Sequence, residues 1–168
     1  MTVPDYDEFY VALRPRLVRT AYAVSGDLGI AEDAVQTAFA KAYRSWRRIS
    51  RLASPEAYVR RMAVNEVLNT RRTAHVRREI AHAALPDAAS AHDDDDALAH
   101  DEMWRAVLAL PPRQRAVLVL RYYEDLSEQQ IADVLGCRPG TVKSQASAAL
   151  ATLRKQLDQP TAAREGQS

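Results

Sequence analysis

Four polar residues in the middle of the chain share a spacing suited to contact with nucleic acid. They are Arg61, Asn65, Asn69 and Arg72. At i, i+4, i+8 and i+11 they lie on one face if the segment is helical. Guanidinium groups pair with phosphates, and amides donate and accept hydrogen bonds at exposed bases, as single-stranded or melted DNA requires. A solvated helix face is the alternative interpretation.

A second polar set follows near the carboxyl end of the chain. Thr141, Ser144 and Gln145 share one side of the predicted helix with Ala148, and the basic residues Arg138 and Lys143 flank them. Hydroxyl and amide groups early in a helix can bond base edges in the major groove, while flanking basic residues bond phosphates. The opposite side of the same segment carries the apolar residues Val142, Ala146, Leu150, Leu153 and Leu157.

The residues just before this second set predict a helix-turn-helix. Ser127 and Gln130 form an S-x-x-Q capping box at the start of a short helix. Gly136 suits the left-handed conformation at its end, and Pro139 suits the first position of the next helix. The spacing of Ala132, Gly136 and Val142 fits two helices that pack across a tight turn, and an ordinary helical hairpin is the alternative.

The remaining elements are also predicted to be helical, because glycine is scarce and apolar residues recur at helical spacing. The first helix should run from about Asp5 to Ser25, with a bend or break near Pro15. The second should start near Asp27, stop near Ile49 and bury a stripe. That stripe is Val35, Ala38, Phe39, Ala42, Tyr43 and Trp46.

The polar face at Arg61 belongs to a third predicted helix, which should run to about Arg78. Ser54 is its expected N-cap, with Pro55 and Glu56 in the first turn. Periodicity then fails from residue 81 to 97, and helical spacing resumes from Met103, with a break expected at the proline pair 111–112.

Charge is unevenly distributed along the chain, whose net charge is +1. Residues 1–80 carry 14 basic and 9 acidic side chains, residues 81–102 carry no basic and 7 acidic ones, and residues 103–157 carry 8 and 4. Two basic blocks separated by an acidic one favour two surfaces for a polyanion.

Other classes of protein fit the sequence poorly. The lone Cys137 excludes an internal disulfide, and neither a signal peptide nor an apolar run of about 18 residues is evident, so we expect a cytoplasmic protein without membrane insertion. A metalloenzyme could use His92, His100 and Asp93–Asp96, but consecutive carboxylates do not converge like preorganised ligands. We therefore expect no enzyme, no metal and no cofactor.

Three separated segments make the chain resemble a bacterial RNA polymerase sigma factor of the extracytoplasmic-function (ECF) group, in its actinobacterial SigE-like branch. GIAEDAVQTAFAKAYRSW resembles the family's core-polymerase-binding helix. YVRRMAVNEVLNTRR resembles its −10 recognition and melting helix, and LPPRQRAVLVLRYYEDLSEQQIADVLGCRPGTVKSQ resembles its −35-binding domain. The resemblance covers about residues 5 to 157.

The resemblance implies an all-α fold of two small helical domains joined by an acidic flexible linker. Residues 1–80 would form a sigma region 2-like domain and residues 101–157 a sigma region 4-like helix-turn-helix domain. Residues 81–100 would be the linker and residues 158–168 a disordered tail. The implied partners are promoter DNA, core polymerase through its β′ clamp helices and β flap, and an anti-sigma factor.

The resemblance also implies a role for individual residues. Contacts to the −10 element would come from Tyr58, Arg61, Asn65, Asn69, Arg71 and Arg72. Contacts to the −35 element would come from Arg138, Thr141, Lys143, Ser144 and Gln145, and contacts to core polymerase from Asp33, Gln36 and Phe39.

The chain departs from the family at two places. Thr37 stands where many relatives have an acid, and Ala148 and Ala149 stand where arginine is common. Each missing phosphate contact should lower the salt dependence of DNA binding by about one unit of slope, which predicts weak −35 affinity.

Two questions stay open from sequence. A one-component regulator, with a sensing domain in residues 1–80, is the alternative function, although an arginine- and asparagine-lined helix argues against a ligand pocket there. The acidic run Asp93–Asp96 either occupies the RNA-exit channel of polymerase or is a solvated tether.

Overall fold

The structure is a computed structural model that describes residues 5–80 and 97–159, with side chains described for 5–70 and 101–159. Every regular element in these ranges is helical, which confirms the all-α prediction. None of the helices described is long and apolar enough to cross a membrane. The acidic run Asp93–Asp96 and the chain after residue 159 lie outside the described residues.

The first domain consists of three long helices and one short one. They are α1 (Tyr6–Ser25), α2 (Leu28–Arg44), α3 (Trp46–Ile49) and α4 (Pro55–Ile80). Side-chain caps set where the long helices begin: Asp27 accepts a hydrogen bond from the Ile30 amide at 2.9 Å, and Ser54 accepts one from the Ala57 amide at 3.2 Å. Gly26 ends α1 in the left-handed conformation, at φ 71°.

Two details of these helices differ from the predictions. Helix α1 continues through Pro15 without a break. Proline leaves the Val11 carbonyl without its helical donor, but Val11 and Pro15 are exposed, so water can bond that carbonyl. The second predicted helix is divided at Ser45 into α2 and α3.

An apolar core joins α1, α2 and α4. Leu17, Val35, Phe39, Val59 and Val67 are each at most 1% exposed. At one end of the core the aromatic rings of Tyr6, Phe9, Tyr10, Phe39, Tyr43 and Trp46 form a cluster, with centroids 4.7–6.5 Å apart. The predicted buried stripe is wrong at Tyr43, which is 66% exposed and covers the cluster from outside.

The second domain is also built from helices, most of which are shorter than the long helices of the first. It contains α5 (Ala97–Leu108), α6 (Pro112–Leu118), a π-helical turn (Val119–Tyr123), α7 (Glu128–Leu135) and α8 (Pro139–Leu157). The predicted break at the proline pair is confirmed, because α6 begins at Pro112. The π-helical turn has no counterpart in the predictions.

The two domains pack against each other. Helix α1 lies against α6 and the π-helical turn, and α4 lies against α7. Buried residues of the second domain, among them Val117, Leu120 and Ile131, belong to the same apolar cluster as the core of the first domain. The polar face of α4 therefore has to be considered together with the domain that covers part of it.

Candidate nucleic-acid interfaces

Helix α4 carries the predicted polar face. It begins at Pro55, after the Ser54 cap. Val59, Ala63 and Val67 are buried in the core, and Arg61, Asn65 and Asn69 lie on another side of α4. The side chains on that side differ in exposure: Arg61 and Asn69 are exposed, whereas Asn65 is partly buried. Arg71 and Arg72 lie in α4, but their side chains are outside the described set.

Asn65 contacts the second domain. Its side-chain amide donates a hydrogen bond to the main-chain carbonyl of Val134 in α7, at 3.1 Å. The sequence predicted an amide available to a base, but in this conformation that donor is engaged. Arg61 lies beside it in a cleft of about 220 Å³, bounded on the α7 side by Gln130, Asp133 and Val134.

Tyr58 is held by an arginine that the sequence analysis did not single out. The Arg48 guanidinium donates to the Tyr58 hydroxyl at 3.1 Å, and its central carbon lies 5.4 Å from the ring centroid, within cation–π range. The contact fixes an aromatic ring beside a cation at the start of α4. That combination can stack on a base and bind the adjacent phosphate.

Arg48 belongs to an arginine cluster on α3 and the segments that flank it. Its members are Arg44, Arg47, Arg48 and Arg51. All four are exposed and line two adjoining open clefts, one of them shared with Tyr43 and Trp46. The run YRSWRRISR indicates this cluster in the sequence, since four arginines fall within eight residues, although it lies outside the predicted polar face of α4.

The proposed polymerase-binding residues on α2 divide into two groups. Asp33 and Gln36 are exposed and, three residues apart, occupy one side of the helix. Phe39 is 1% exposed, and its ring packs on Tyr10 with centroids 4.8 Å apart. The expectation that Phe39 offers a contact surface is therefore wrong in this conformation, because the side chain is part of the core.

Local chemistry builds the helix-turn-helix as predicted. The Ser127 hydroxyl accepts from the Gln130 amide at 3.1 Å, and the Gln130 side chain accepts from the Ser127 amide at 2.9 Å, which completes the capping box. Gly136 has φ 65°, and its amide donates to the Ala132 carbonyl. Ala132 and Val142 are buried where α7 and α8 meet.

Helix α8 presents the predicted polar residues at its start. Arg138, Thr141, Lys143 and Ser144 are exposed, and Gln145 is partly buried. The Ser144 hydroxyl donates to the Thr141 carbonyl at 3.1 Å, so it offers acceptor lone pairs to a partner. The structure brings these side chains together at the N-cap and on the first two turns of α8.

The far end of α8 corrects two expectations. Ala149 was grouped with Ala148 as a position where arginine could meet a phosphate, but Ala149 is 0% exposed and Ala148 is exposed. Leu157 was expected to be buried and is 36% exposed, close to the helix end. Position 148 is thus the one of the two alanines that faces solvent.

The metal interpretation depends on residues that lack a description. His92 and Asp93–Asp96 lie outside the described residues, and the side chain of His100 is not described either. Within the part of the chain whose side chains are described, no three His, Cys, Asp or Glu residues are grouped as metal ligands. Cys137 packs against the apolar core.

Comparison with known proteins decides the family. The model of sigma-70 region 2 matches residues 9–78, and that of sigma-70 region 4 matches residues 100–153. The chain is 33% identical over 156 residues to the RNA polymerase sigma-E factor of Streptomyces antibioticus, covering 93% of this chain and 86% of that one. It is 31% identical to the ECF RNA polymerase sigma factor SigL of Mycobacterium tuberculosis, over 92% and 87% of the two chains.

The chain belongs to the ECF sigma factors. It therefore acts with core RNA polymerase and promoter DNA and directs promoter-specific initiation of transcription. The alternative, a one-component regulator, is not favoured, because the match spans both halves of the chain.

Solved sigma factors share the fold. RpoE of Bartonella quintana, solved with the anti-sigma factor NepR, has a TM-score of 0.76 at 23% identity, over 94% of this chain and 100% of that one. SigJ of Mycobacterium tuberculosis has a TM-score of 0.58 at 25% identity, over 93% of this ECF sigma factor and 54% of that chain.

Proposed function

We propose that the two domains of this sigma factor divide promoter recognition between them. Residues 1–80 bind core polymerase and the −10 element, and residues 101–157 bind the −35 duplex. The observation that carries the proposal is the start of α8, where Arg138, Thr141 and Lys143 are exposed beside the buried Val142. In a DNA-bound helix-turn-helix, the second helix places such an exposed polar side in the major groove.

The −10 element is read by α4 and the arginine cluster. Asn65 and Asn69 supply hydrogen bonds to unpaired bases, and Arg61, Arg71 and Arg72 supply charge for phosphates. Tyr58, fixed by Arg48, is placed to stack on a base that has left the duplex. Extruding a base costs a few kcal/mol, which these contacts offset together with those of polymerase.

The −35 element is read by Arg138, Thr141, Lys143, Ser144 and Gln145 on α8. Arg138 and Lys143 bind DNA phosphates and so set the position of α8 along the duplex, while the hydroxyl and amide groups bond base edges. Because Ala148 carries no charge, α8 contacts fewer DNA phosphates than it would with an arginine there, and its affinity for the −35 element is modest.

Core polymerase is bound through the exposed side of α2. Asp33 and Gln36 face the β′ clamp helices, and the second domain contacts the β flap. Thr37, exposed beside Gln36, replaces an acidic contact with a hydroxyl. The sigma factor performs no catalysis of its own, and it acts in the cytoplasm with polymerase.

An anti-sigma factor is a further candidate partner. RpoE of Bartonella quintana was solved with NepR, and CnrH, with a TM-score of 0.59, was solved with the cytosolic domain of CnrY. Co-purification of the tagged chain from its host, followed by release of transcription when the captured protein is removed, tests this proposal.

Run-off transcription with purified core polymerase on a promoter panel tests the main proposal. We expect promoter-dependent transcripts, and we expect alanine at Tyr58, Arg61 or Asn65 to reduce open-complex formation while core binding persists. Binding to duplex DNA without binding to core polymerase would instead support the regulator.

A further inference from the structure

A buried carboxylate joins the two domains. Glu124 belongs to the second domain, yet its side chain is 1% exposed and points at the first. Its Oε1 accepts a hydrogen bond from the Thr20 hydroxyl, and its Oε2 lies 3.1 Å from the Arg16 guanidinium and 3.4 Å from that of Arg60. These three partners all lie in α1 or α4.

The backbone before and after Glu124 fixes this orientation. The π-helical turn lets the Glu124 amide donate to the Val119 carbonyl, at 3.1 Å, and the Leu126 amide donate to the Leu120 carbonyl, at 3.0 Å. Asp125 follows with φ 55°, a conformation that residues other than glycine seldom adopt. A π-turn and a left-handed residue at one place often accompany a functional position.

The partners of Glu124 depend on it in return. The Arg60 side chain is 15% exposed, and among the described residues its Nε has no hydrogen-bond partner. Glu124 is thus the acid that meets the charge of a largely buried arginine. Removal of one member of such a group leaves an uncompensated buried charge.

The same contact between domains covers the proposed −10 face. Glu124 holds α1 and α4 against the second domain, and on the next turns of α4 the Asn65 amide bonds the Val134 carbonyl. Val134 is 5% exposed, so the side of Asn65 that would meet a base is filled by α7.

Promoter geometry requires these contacts to separate. The −35 and −10 elements are centred about 25 base pairs apart, which is about 85 Å of B-form DNA. Residues of the two domains that touch at about 3 Å cannot reach both elements while α4 and α7 stay together. The conformation described is therefore one that has to open before promoter binding.

We infer that Glu124 is a latch that keeps the free sigma factor closed and withholds Asn65 from DNA until core polymerase separates the domains. This inference rests on the proposed role of Asn65 in −10 recognition. If the open form is a minor fraction, the apparent affinity for the −10 strand falls in proportion to that fraction. Loss of the latch should restore the affinity.

Glu124→Gln in the full-length chain tests the latch, with Glu128→Gln as the matched control. Glu128 is also a glutamate of the second domain, but it pairs with Arg121 in its own domain, at 4.0 Å. X-ray scattering measures the radius of gyration of the free chain, about 15 Å for a compact chain of this length. Fluorescence anisotropy measures binding of the non-template −10 strand of the promoter with the strongest run-off transcript.

We expect Glu124→Gln to increase the radius of gyration and to tighten binding of the strand by about fivefold or more, as expected if the open form becomes dominant. Glu128→Gln should match the wild type in both measurements. Thr20→Val is a milder change to the same group and serves if Glu124→Gln lowers the melting temperature too far for measurement.

Two results would overturn the latch: an unchanged radius of gyration in Glu124→Gln and Thr20→Val, or an expanded chain that binds the strand no better. Failure of the proposed function looks different. In that case no promoter gives a transcript with core polymerase, while the scattering comparison still reports whether Glu124 holds the domains together.

Discussion

The side-chain amide of Asn65 donates a hydrogen bond to the main-chain carbonyl of Val134, which belongs to the other domain. While this bond persists, the Asn65 side chain lies against α7 and uses one of its two N–H donors there. A substitution at Asn65 therefore acts on the free chain and on the promoter complex through different contacts, and the two effects can be measured separately.

Asn65→Ala should impair promoter opening by the assembled holoenzyme. A lost base contact costs about 1–3 kcal/mol, so we expect open complexes to fall by about 5- to 150-fold. Permanganate footprinting of unpaired thymines measures them, and native gel electrophoresis checks that core binding persists. Gln129→Ala removes an exposed amide of α7 that bonds Asp133, and it should leave both measurements unchanged.

Ala148→Arg and Ala149→Arg should have opposite outcomes, although the positions are adjacent. Ala148 is exposed, so an arginine there should tighten −35 duplex binding and raise the salt slope by about one unit. Ala149 is 0% exposed, so an arginine there buries an unpaired charge and should destabilise the chain by about 3 kcal/mol or more. Salt titration of duplex binding and urea unfolding measure the effects; equal behaviour of the two variants would contradict the assigned faces of α8.

Gly136→Ala should destabilise the helix-turn-helix through backbone strain alone. An added Cβ would meet nothing within 4 Å, but φ is 65°, where an L residue costs about 1–2 kcal/mol. Gly140→Ala is the matched control, because its Cβ also meets nothing and its backbone is helical. We expect it to stabilise the protein by about 0.5 kcal/mol. Urea unfolding distinguishes the two signs.

Ser127→Ala should weaken α7 by removing one half of the capping box. Loss of such a cap costs about 1 kcal/mol in the free energy of unfolding. Ser147→Ala replaces an exposed serine inside α8 and should change stability by less than about 0.5 kcal/mol. If both variants unfold at the same urea concentration, the capping box does not contribute measurably.

Stability above pH 10 should depend on Tyr6. Burial raises the pKa of its hydroxyl, with smaller contributions from Tyr10, Asp7 and Tyr43, and the hydroxyl donates to the Phe39 carbonyl at 2.8 Å. The unfolded chain ionises first, so this contribution is complete below the ordinary pKa of about 10 and is lost as pH rises through the folded value.

Tyr6→Phe removes that titration. We therefore expect the free energy of unfolding to fall less steeply as the pH rises above about 10 in Tyr6→Phe than in the wild type. Urea unfolding at intervals across this range gives the two slopes. Parallel curves would mean that Tyr6 ionises equally in the folded and unfolded chains.

Local chemistry explains why most helix ends could be predicted. Ser54, Ser127 and Gly136 act within a few residues of themselves, so their neighbours in sequence suffice to identify them. The capping box and the turn of the helix-turn-helix followed from sequence for this reason. The π-helical turn did not, because a single extra residue per turn leaves no periodic signal in a five-residue segment.

The burial of polar residues could not be predicted, since it depends on partners far along the chain. Glu124 meets Thr20 across 104 positions and Arg60 across 64, and in sequence each of them resembles an ordinary surface residue. Tyr43, which was expected to be buried, and Ala149, which was expected to be exposed, show the same limit, because the helical pattern allows a stripe to include or omit a neighbouring position. The contact between the two domains determines which polar residues of α4 are exposed to solvent.

The rings of Tyr22 and Trp104 lie 5.7 Å apart, one in each domain. A tyrosine this close to an indole transfers its excitation to it, so tyrosine-sensitised emission from Trp104 will fade if the rings part. The chain has one other tryptophan, Trp46, and Trp46→Phe leaves Trp104 as the only indole. The Trp46→Phe variant thus reports separation of the two domains of the free chain by its intrinsic fluorescence, without a dye.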